Sequence, residues 1–191
     1  MACSAAFVNT EIGEQKAITL SDNSIIKLNT NSRIKIDYNN ARRGIHLLQG
    51  EAYFQVAHNP SLPFEVYTGT GVVRAVGTAF GVYLNHQQVE VLVGEGVVEI
   101  DEIPLAASPP PAKNTTALAG DPLAPKKPEL TRIPAGTKAT FERHTPLQLA
   151  LDENVEVEKK LSWRNGSLMF KREELQSLVD EVSRYTSMRI I

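Results

Sequence analysis

The chain has 191 residues, 42% of them hydrophobic and 22% charged, which is enough for one globular domain and part of a second. Its formal net charge of −2 excludes a broad basic surface for nucleic acid. No apolar run approaches the roughly 20 residues of a membrane helix, and the single cysteine, Cys3, excludes an intrachain disulfide.

The N-terminal half has the two-residue apolar periodicity of half-buried β-strands. Apolar side chains alternate with polar ones within residues 34–38, 52–56, 80–84 and 89–93. Turn residues separate these runs, and we expect tight hairpins at 94–96 and at 85–88. The pattern predicts a mainly β domain over residues 10–103.

The composition changes at residues 104–130, where seven of the chain's eleven prolines lie. Proline removes backbone donors and few large apolar side chains are present, so we predict an extended loop there. Strand character returns within 131–141 and again at 161–163. We therefore expect the β domain to continue through residues 131–162.

An amphipathic helix is predicted over residues 172–185, after an Asn-Gly turn at 165–166. Its apolar stripe, which we expect either in the core or at a docking surface for a partner, consists of Leu175, Leu178, Val179, Val182 and Tyr185. Residues 188–191 resemble the start of another strand. We expect the natural protein to continue past Ile191.

The sequence contains no recognisable set of catalytic or metal-binding residues. The close spacing of metal ligands is absent among His46, His58, His86 and His144. Motifs for a nucleophilic serine, for nucleotide phosphates and for dinucleotides are missing or incomplete. We therefore predict neither enzymatic activity nor a cofactor.

Two glutamates, Glu51 and Glu95, each follow a glycine at the edge of a predicted strand. We expect their carboxylates to hydrogen-bond exposed turn amides or to pair with Arg42 or Arg43. Trp163, the only tryptophan, is expected in the core or at an interface between subdomains.

Short motifs follow one another in a fixed order along the chain. They are L-S-D-N-S at 20–24, L-N-T-N-S at 28–32, G-E-A-Y-F-Q-V at 50–56, P-F-E-V at 63–66, V-G-T-A-F-G-V at 76–82, E-G-V-V at 95–98, P-A-G at 134–136 and W-R-N-G-S-L-M-F at 163–170, with Arg184-Tyr185 after them. This series resembles the FecR family, the membrane-anchored anti-sigma regulators of Gram-negative bacteria. Asn23 stands where the family has glycine, and asparagine also tolerates a positive φ.

The resemblance implies a twisted, solenoid-like domain of stacked short strands. It also implies, at residues 163–191, the start of a small βαβ domain similar to the short N-terminal domain of secretins and TonB-dependent receptors. Family members are single-pass inner-membrane proteins with a cytoplasmic anti-sigma segment and one membrane helix before this region. Both are missing here, so we expect the periplasmic part alone.

In the family, an outer-membrane TonB-dependent transporter loads its ligand, often a ferric siderophore. Its periplasmic signalling domain contacts the FecR-type region, and regulated proteolysis then frees an extracytoplasmic-function sigma factor. The resemblance thus implies the same partners for this chain. We predict that residues 163–191 respond to the transporter, with contacts from Trp163, Leu175, Val179, Arg184 and Tyr185.

Two other functions stay open from the residues alone. A carbohydrate- or small-ligand-binding β module would need a concave face with exposed aromatics, and Tyr53, Tyr67 and Tyr83 are the candidates. A β-fold enzyme of the cupin type would need a tightly bound transition metal.

Overall fold

The computed structural model describes residues 6–39, 41–69, 71–85, 87–102, 131–143, 147–172 and 174–186. These residues form strands β1 Ala6–Asn9, β2 Lys16–Thr19, β3 Ile25–Leu28, β4 Arg33–Asn39, β5 Arg42–Gln55, β6 Phe64–Tyr67, β7 Gly71–Ala75, β8 Ala79–Leu84, β9 Gln88–Glu95, β10 Val97–Glu102, β11 Thr131–Pro134, β12 Lys138–Glu142 and β13 Ala150–Asp152. They also form helices α1 Val157–Lys160 and α2 Leu175–Ser183 and a 3-10 helix, Ser162–Asn165. The predicted proline-rich loop at 104–130 lies outside the described residues.

Strand β5, with 14 residues, belongs to two sheets. Its first half pairs with β4 and, in parallel, with β6, whereas its second half pairs with β3 and β8. The first sheet runs β1-β4-β5-β6-β7-β10-β11, and the second runs β2-β3-β5-β8-β9-β12-β13. The long strand therefore joins the two sheets into one curled surface.

Side chains from both sheets fill a common apolar core. The ring of Phe54 on the second sheet lies 5.7 Å from that of Phe64 on the first sheet and 5.2 Å from that of Phe80. All three rings are fully buried. The prediction of a mainly β fold built from short stacked strands is confirmed, and the two-residue periodicity marks the residues that face this core.

The expected hairpin at residues 94–96 is wrong. Strand β9 pairs with β8 and β12, and β10 pairs with β7 and β11, so the link carries the chain from one sheet to the other. Gly96 has the expected positive φ of 79°. Its carbonyl oxygen accepts a hydrogen bond from the Ala135 N–H at 2.9 Å. The turn between β11 and β12 therefore supports the link between β9 and β10. The hairpin at 85–88 is confirmed, since it joins the paired strands β8 and β9.

The C-terminal elements differ from the expected ones in two places. Residues 161–163 end α1 and begin the 3-10 helix instead of forming a strand, because this tight turn places both Leu161 and Trp163 against the sheet. The predicted helix is shorter than expected and covers Leu175–Ser183. The turn at 165–166 is confirmed, with Gly166 at φ 74°. Asn23, as expected, has a positive φ of 67°.

Gly50 marks the point where β5 passes from the first sheet to the second. Its φ is +79°, in the left-handed region that favours glycine. A Cβ at this position would lie 2.3 Å from the Ser32 Oγ and 2.6 Å from the Asn31 carbonyl oxygen. The bend therefore requires a residue without a side chain.

We expect Gly50→Ala to reduce the free energy of unfolding by at least about 3 kcal/mol, because it adds a backbone clash to the usual strain of alanine at positive φ. Gly136→Ala is the matched control, since Gly136 has φ +87° and open space around its Cβ position. That control should lose only about 1–2 kcal/mol in urea unfolding. Equal losses would contradict the steric account of the bend.

The buried guanidinium of Arg43 organises the connection between β5 and β6. Its side chain, only 2% exposed, donates hydrogen bonds to the backbone carbonyl oxygens of Leu62, Ala57 and Asn59 and pairs with Asp22 at 3.0 Å. The expected pairing of Arg43 with Glu51 or Glu95 is therefore wrong. Burial raises the pKa of Asp22, but hydrogen bonds from Tyr38, Ser24 and Arg43 outweigh it and lower the pKa to about 2.

This lowered pKa predicts a specific loss of stability in acid. Asp22 binds its proton more readily in the unfolded chain, so its contribution is complete above about pH 4 and disappears as the pH falls through about 2. We expect Asp22→Asn to remove about 1–2 kcal/mol of the stability that the wild type loses between those pH values. Urea unfolding at several pH values measures the loss. Glu95→Gln, at an exposed carboxylate, is the control, and an equal effect of both substitutions would contradict the prediction.

Candidate functional site

Residues 153–172 and 174–186, here called the C-terminal segment, pack on the outer face of the second sheet. Leu161 and Trp163 are buried there against Tyr53, Ala79 and Leu92. The second sheet is therefore covered on both faces, by the common core on one side and by this segment on the other.

A glycine in β8 makes room for the segment. A Cβ at Gly81 would lie 2.8 Å from the Leu161 Cδ2 atom. A larger residue at this position would force the buried Leu161 side chain to shift, so the present packing of Leu161 on the sheet depends on glycine.

The carboxylate of Glu51 lies at the centre of this contact and is the meeting point of three donors. Trp163 Nε1 donates to Oε1 at 2.7 Å, and Asn29 Nδ2 donates to Oε2 at 2.9 Å. Arg184 Nη2 forms an ion pair with Oε2 at 2.5 Å. One carboxylate thus connects β5, the residue after β3, the 3-10 helix and the end of α2.

Further hydrogen bonds fix the end of α2 to the β domain. Asn29 Nδ2 also donates to the Tyr185 hydroxyl at 2.7 Å, and Thr30 Oγ1 donates to the Arg184 carbonyl oxygen at 3.0 Å. We call Asn29, Glu51, Trp163, Arg184 and Tyr185 the Glu51 cluster. Its members come from distant parts of the sequence, because Glu51 and Arg184 are 133 residues apart.

Two arginines of the C-terminal segment lie over tyrosine rings of the second sheet. The Arg184 guanidinium is 4.2 Å from the ring centre of Tyr83, and that of Arg164 is 5.0 Å from the ring centre of Tyr53. Lys27 Nζ also donates to the Arg164 carbonyl oxygen at 3.0 Å. Cation–π contacts therefore support both attachment points of the segment.

Burial makes the charges of the central ion pair depend on each other. It raises the pKa of Glu51, and the neighbouring Arg184 charge opposes that shift. Burial also acts to lower the pKa of Arg184, but Glu51 and Glu181 outweigh it and raise that pKa. Removing Arg184 would leave the buried Glu51 carboxylate without its counter-ion, which is strongly destabilising.

Helix α2 lies over a cleft on the second sheet and buries none of its residues. Ser177, Glu181 and Arg184 border the cleft beneath the helix, and Ser177 lies about 200° around the helix from Leu175. Of the apolar stripe, Leu175 is 76% exposed and Leu178, Val179, Val182 and Tyr185 are half-buried, so none of its members is fully buried. The expectation that the apolar stripe lies in the core is therefore wrong.

Residues 6–99 match the model of a protein family described as FecR protein. This region of the chain belongs to the FecR family. Two crystal structures of a candidate anti-sigma factor from Parabacteroides distasonis ATCC 8503, at 2.50 and 1.65 Å, are similar to the chain with TM-scores of 0.70. They share 20% and 21% identity with it, and the matches cover 95% and 94% of this chain and 75% and 74% of theirs. At that identity the likeness shows the fold. No curated protein matches the sequence.

The Glu51 cluster brings together three of the five partner-binding residues expected from the FecR resemblance. Trp163 is 2% exposed, in a buried cluster between the C-terminal segment and the second sheet, while Arg184 and Tyr185 are half-buried beside it. Leu175 and the half-buried Val179 lie outside the cluster. The role of all five in partner binding stays a prediction, as does the domain boundary at residue 163.

Two residues of the Glu51 cluster, Glu51 and Asn29, were not expected as site residues. Glu51 pairs with Arg184 rather than with Arg42 or Arg43, because the bend at Gly50 places it on the outer face of the second sheet. Asn29 was not singled out as a site residue. Both lie in motifs of the FecR resemblance, G-E-A and L-N-T, and that was the available signal.

The three tyrosines proposed for a ligand-binding face do not form one. Tyr53 and Tyr83 lie beneath arginines of the C-terminal segment, and Tyr67 lies on the first sheet, stacked on His46 at 4.8 Å. Among the described residues, no three His, Cys, Asp or Glu side chains are grouped to hold a metal ion. None of the helices in the described part of the chain is long and apolar enough to cross a membrane.

We expect a double-mutant cycle of Glu51→Gln and Arg184→Met to give a coupling energy of about 1–3 kcal/mol in urea unfolding, because the pair is desolvated. Glu99→Gln and Arg132→Met form the matched control. That pair lies 3.0 Å apart, but Arg132 is 77% exposed, so its coupling should stay below about 0.5 kcal/mol. Equal coupling energies in the two cycles would contradict a special role for Glu51.

Proposed function

We propose that this chain is the periplasmic sensor region of a transmembrane anti-sigma regulator. It relays the ligand-loaded state of an outer-membrane TonB-dependent transporter, in iron–siderophore uptake, to an extracytoplasmic-function sigma factor. Membership of the FecR family supports the regulatory role. The observation that carries the proposal is the exposed side chain of Leu175, with the half-buried Val179 one turn further along α2, which offers apolar contact area to a partner.

The proposed contact for the transporter's periplasmic signalling domain is made by Leu175 and Val179 of α2, here called the apolar row. Ser177, Glu181 and Arg184 border the cleft between the helix and the sheet. Leu175 and Val179 lie on a different side of the helix, where Leu175 is exposed and can contact a partner. An amphipathic helix of this kind docks its apolar side into a groove of the partner. Aliphatic side chains then supply the binding energy by leaving water.

The sigma factor is bound elsewhere in the proposed protein. A cytoplasmic segment before a membrane helix would hold it, and regulated proteolysis in response to the transporter would release it. The chain described here acts by binding and by changing conformation, so no catalytic residue is assigned to it.

Calorimetric titration of this chain with the isolated signalling domain of the neighbouring TonB-dependent transporter tests the proposal. We expect binding, and we expect the double substitution Leu175→Ser and Val179→Ser to weaken it at least about tenfold, because the apolar row then loses most of its buried area. Circular dichroism establishes that the variant keeps its β structure.

The matched control is Gln176→Ser, at an exposed position next to Leu175 on the same helix. Its affinity should equal that of the wild type. Unchanged affinity of the double variant would move the contact away from α2. An absence of binding by the wild type would contradict transporter sensing.

A further inference from the structure

The C-terminal segment is attached mainly at its two ends, with an open cleft between them. Near its start, Leu161 and Trp163 are buried, and at its end Arg184 and Tyr185 join the Glu51 cluster. Between these points a cleft of about 300 Å³ separates the polar side of α2 from the sheet. The helix itself contributes no buried residue. Its position over the sheet therefore depends on the contacts at Arg184 and Tyr185.

We propose that Glu51 is a latch that holds the C-terminal segment closed over the second sheet. In this proposal, separation of Arg184 from Glu51 is the conformational step through which a partner bound to α2 acts. The proposal rests on the proposed function for the identity of that partner. The latch itself is a property of this chain alone.

Because of the environment of Glu51, the contacts of Arg184 and Trp163 with its carboxylate form together and are lost together. Its side chain is only 10% exposed, and its three donors come from Asn29, Trp163 and Arg184. Loss of Arg184 alone would leave a buried carboxylate without its counter-ion, which costs more than admitting water to the whole site. Departure of Arg184 therefore favours departure of Trp163 as well.

Arg184 already has a second acidic partner that would travel with it. Glu181, one turn earlier on α2, accepts hydrogen bonds from Arg184 Nη1 at 2.9 Å and 3.0 Å through its two carboxylate oxygens. On release, the guanidinium keeps this ion pair, and only Glu51 has to be solvated anew. The open state thus costs less than full separation of two buried charges.

A partner gains control of the latch by binding α2 differently in the two states. Any surface that contacts the apolar row more completely when α2 leaves the sheet will shift the population toward the open state. The same linkage means that a weakened latch raises the affinity for that partner. Release also uncovers Tyr53, Leu161 and Trp163, and so makes the segment accessible to proteases.

Hydrogen–deuterium exchange of the full chain tests the latch without any partner. Glu51→Gln should speed exchange in peptides covering 161–172 and 174–186 at least about tenfold, while β6, β7 and β10 stay as protected as in the wild type. Glu95→Gln is the matched control, since Glu95 is an exposed glutamate that also follows a glycine. It should leave every peptide unchanged.

A second variant, Arg184→Met, keeps the test decisive if Glu51→Gln does not fold. It removes the same ion pair by changing the residue on the helix, and it should speed hydrogen–deuterium exchange in the same peptides. Faster exchange spread equally over both sheets, or no change in residues 161–186 in either variant, would overturn the latch.

The transporter's signalling domain separates this proposal from the proposed function. If the latch variants open the segment and bind that domain more tightly than the wild type, the latch and transporter sensing are both supported. If they open the segment but neither they nor the wild type bind, the latch stands and transporter sensing fails. Binding of equal strength by open and closed forms would overturn the coupling between latch and partner.

Discussion

A single buried carboxylate determines how the C-terminal segment of this chain lies on its β domain. The Glu51 backbone is fixed on both sides, because its N–H donates to Ser32 Oγ at 2.9 Å and its carbonyl oxygen accepts from the Asn29 N–H at 2.9 Å. The bend at Gly50 turns the side chain to the outer face of the second sheet. A buried charge in that place requires donors, and Trp163 and Arg184 supply them from the C-terminal segment.

The same requirement explains why Arg184 and Glu181 face the sheet. Arg184 can reach Glu51 only if its side of the helix faces inward, and Glu181 accompanies it. Leu175, on the opposite side of the helix from Arg184, then faces outward. Structure and proposed function are connected at this point, since the ion pair that orders the segment also leaves an apolar surface for a partner.

Local patterns predicted the strands, and they did so for a clear physical reason. Alternation with a period of two follows from one buried face, and the turn conformations of Asn23, Gly96 and Gly166 follow from their low cost at positive φ. Strand partners do not follow from such patterns. The link at 94–96 has the residues of a hairpin, but the pairing of β9 and β10 with other strands makes it a crossing between sheets.

Local sequence patterns could not predict the Glu51 cluster, for a related reason. Glu51 and Arg184 meet across 133 residues, and only the folded sheet brings them together. The helical stripe at 175–185 correctly indicated an amphipathic helix. Its orientation could not be predicted, because it depends on the ion pair between Arg184 and Glu51, which local periodicity does not reveal.

The most direct measurement of the central claim uses Trp163, whose indole donates to Glu51 and which is the only tryptophan in the chain. Its fluorescence would be followed while the transporter's signalling domain, prepared without tryptophan, is titrated into the wild type and into Glu51→Gln. The account predicts a shift to longer wavelength on binding in the wild type, and emission already shifted before titration in Glu51→Gln. Binding that leaves Trp163 emission unchanged in the wild type, or Glu51→Gln emission that matches the unbound wild type, would contradict it.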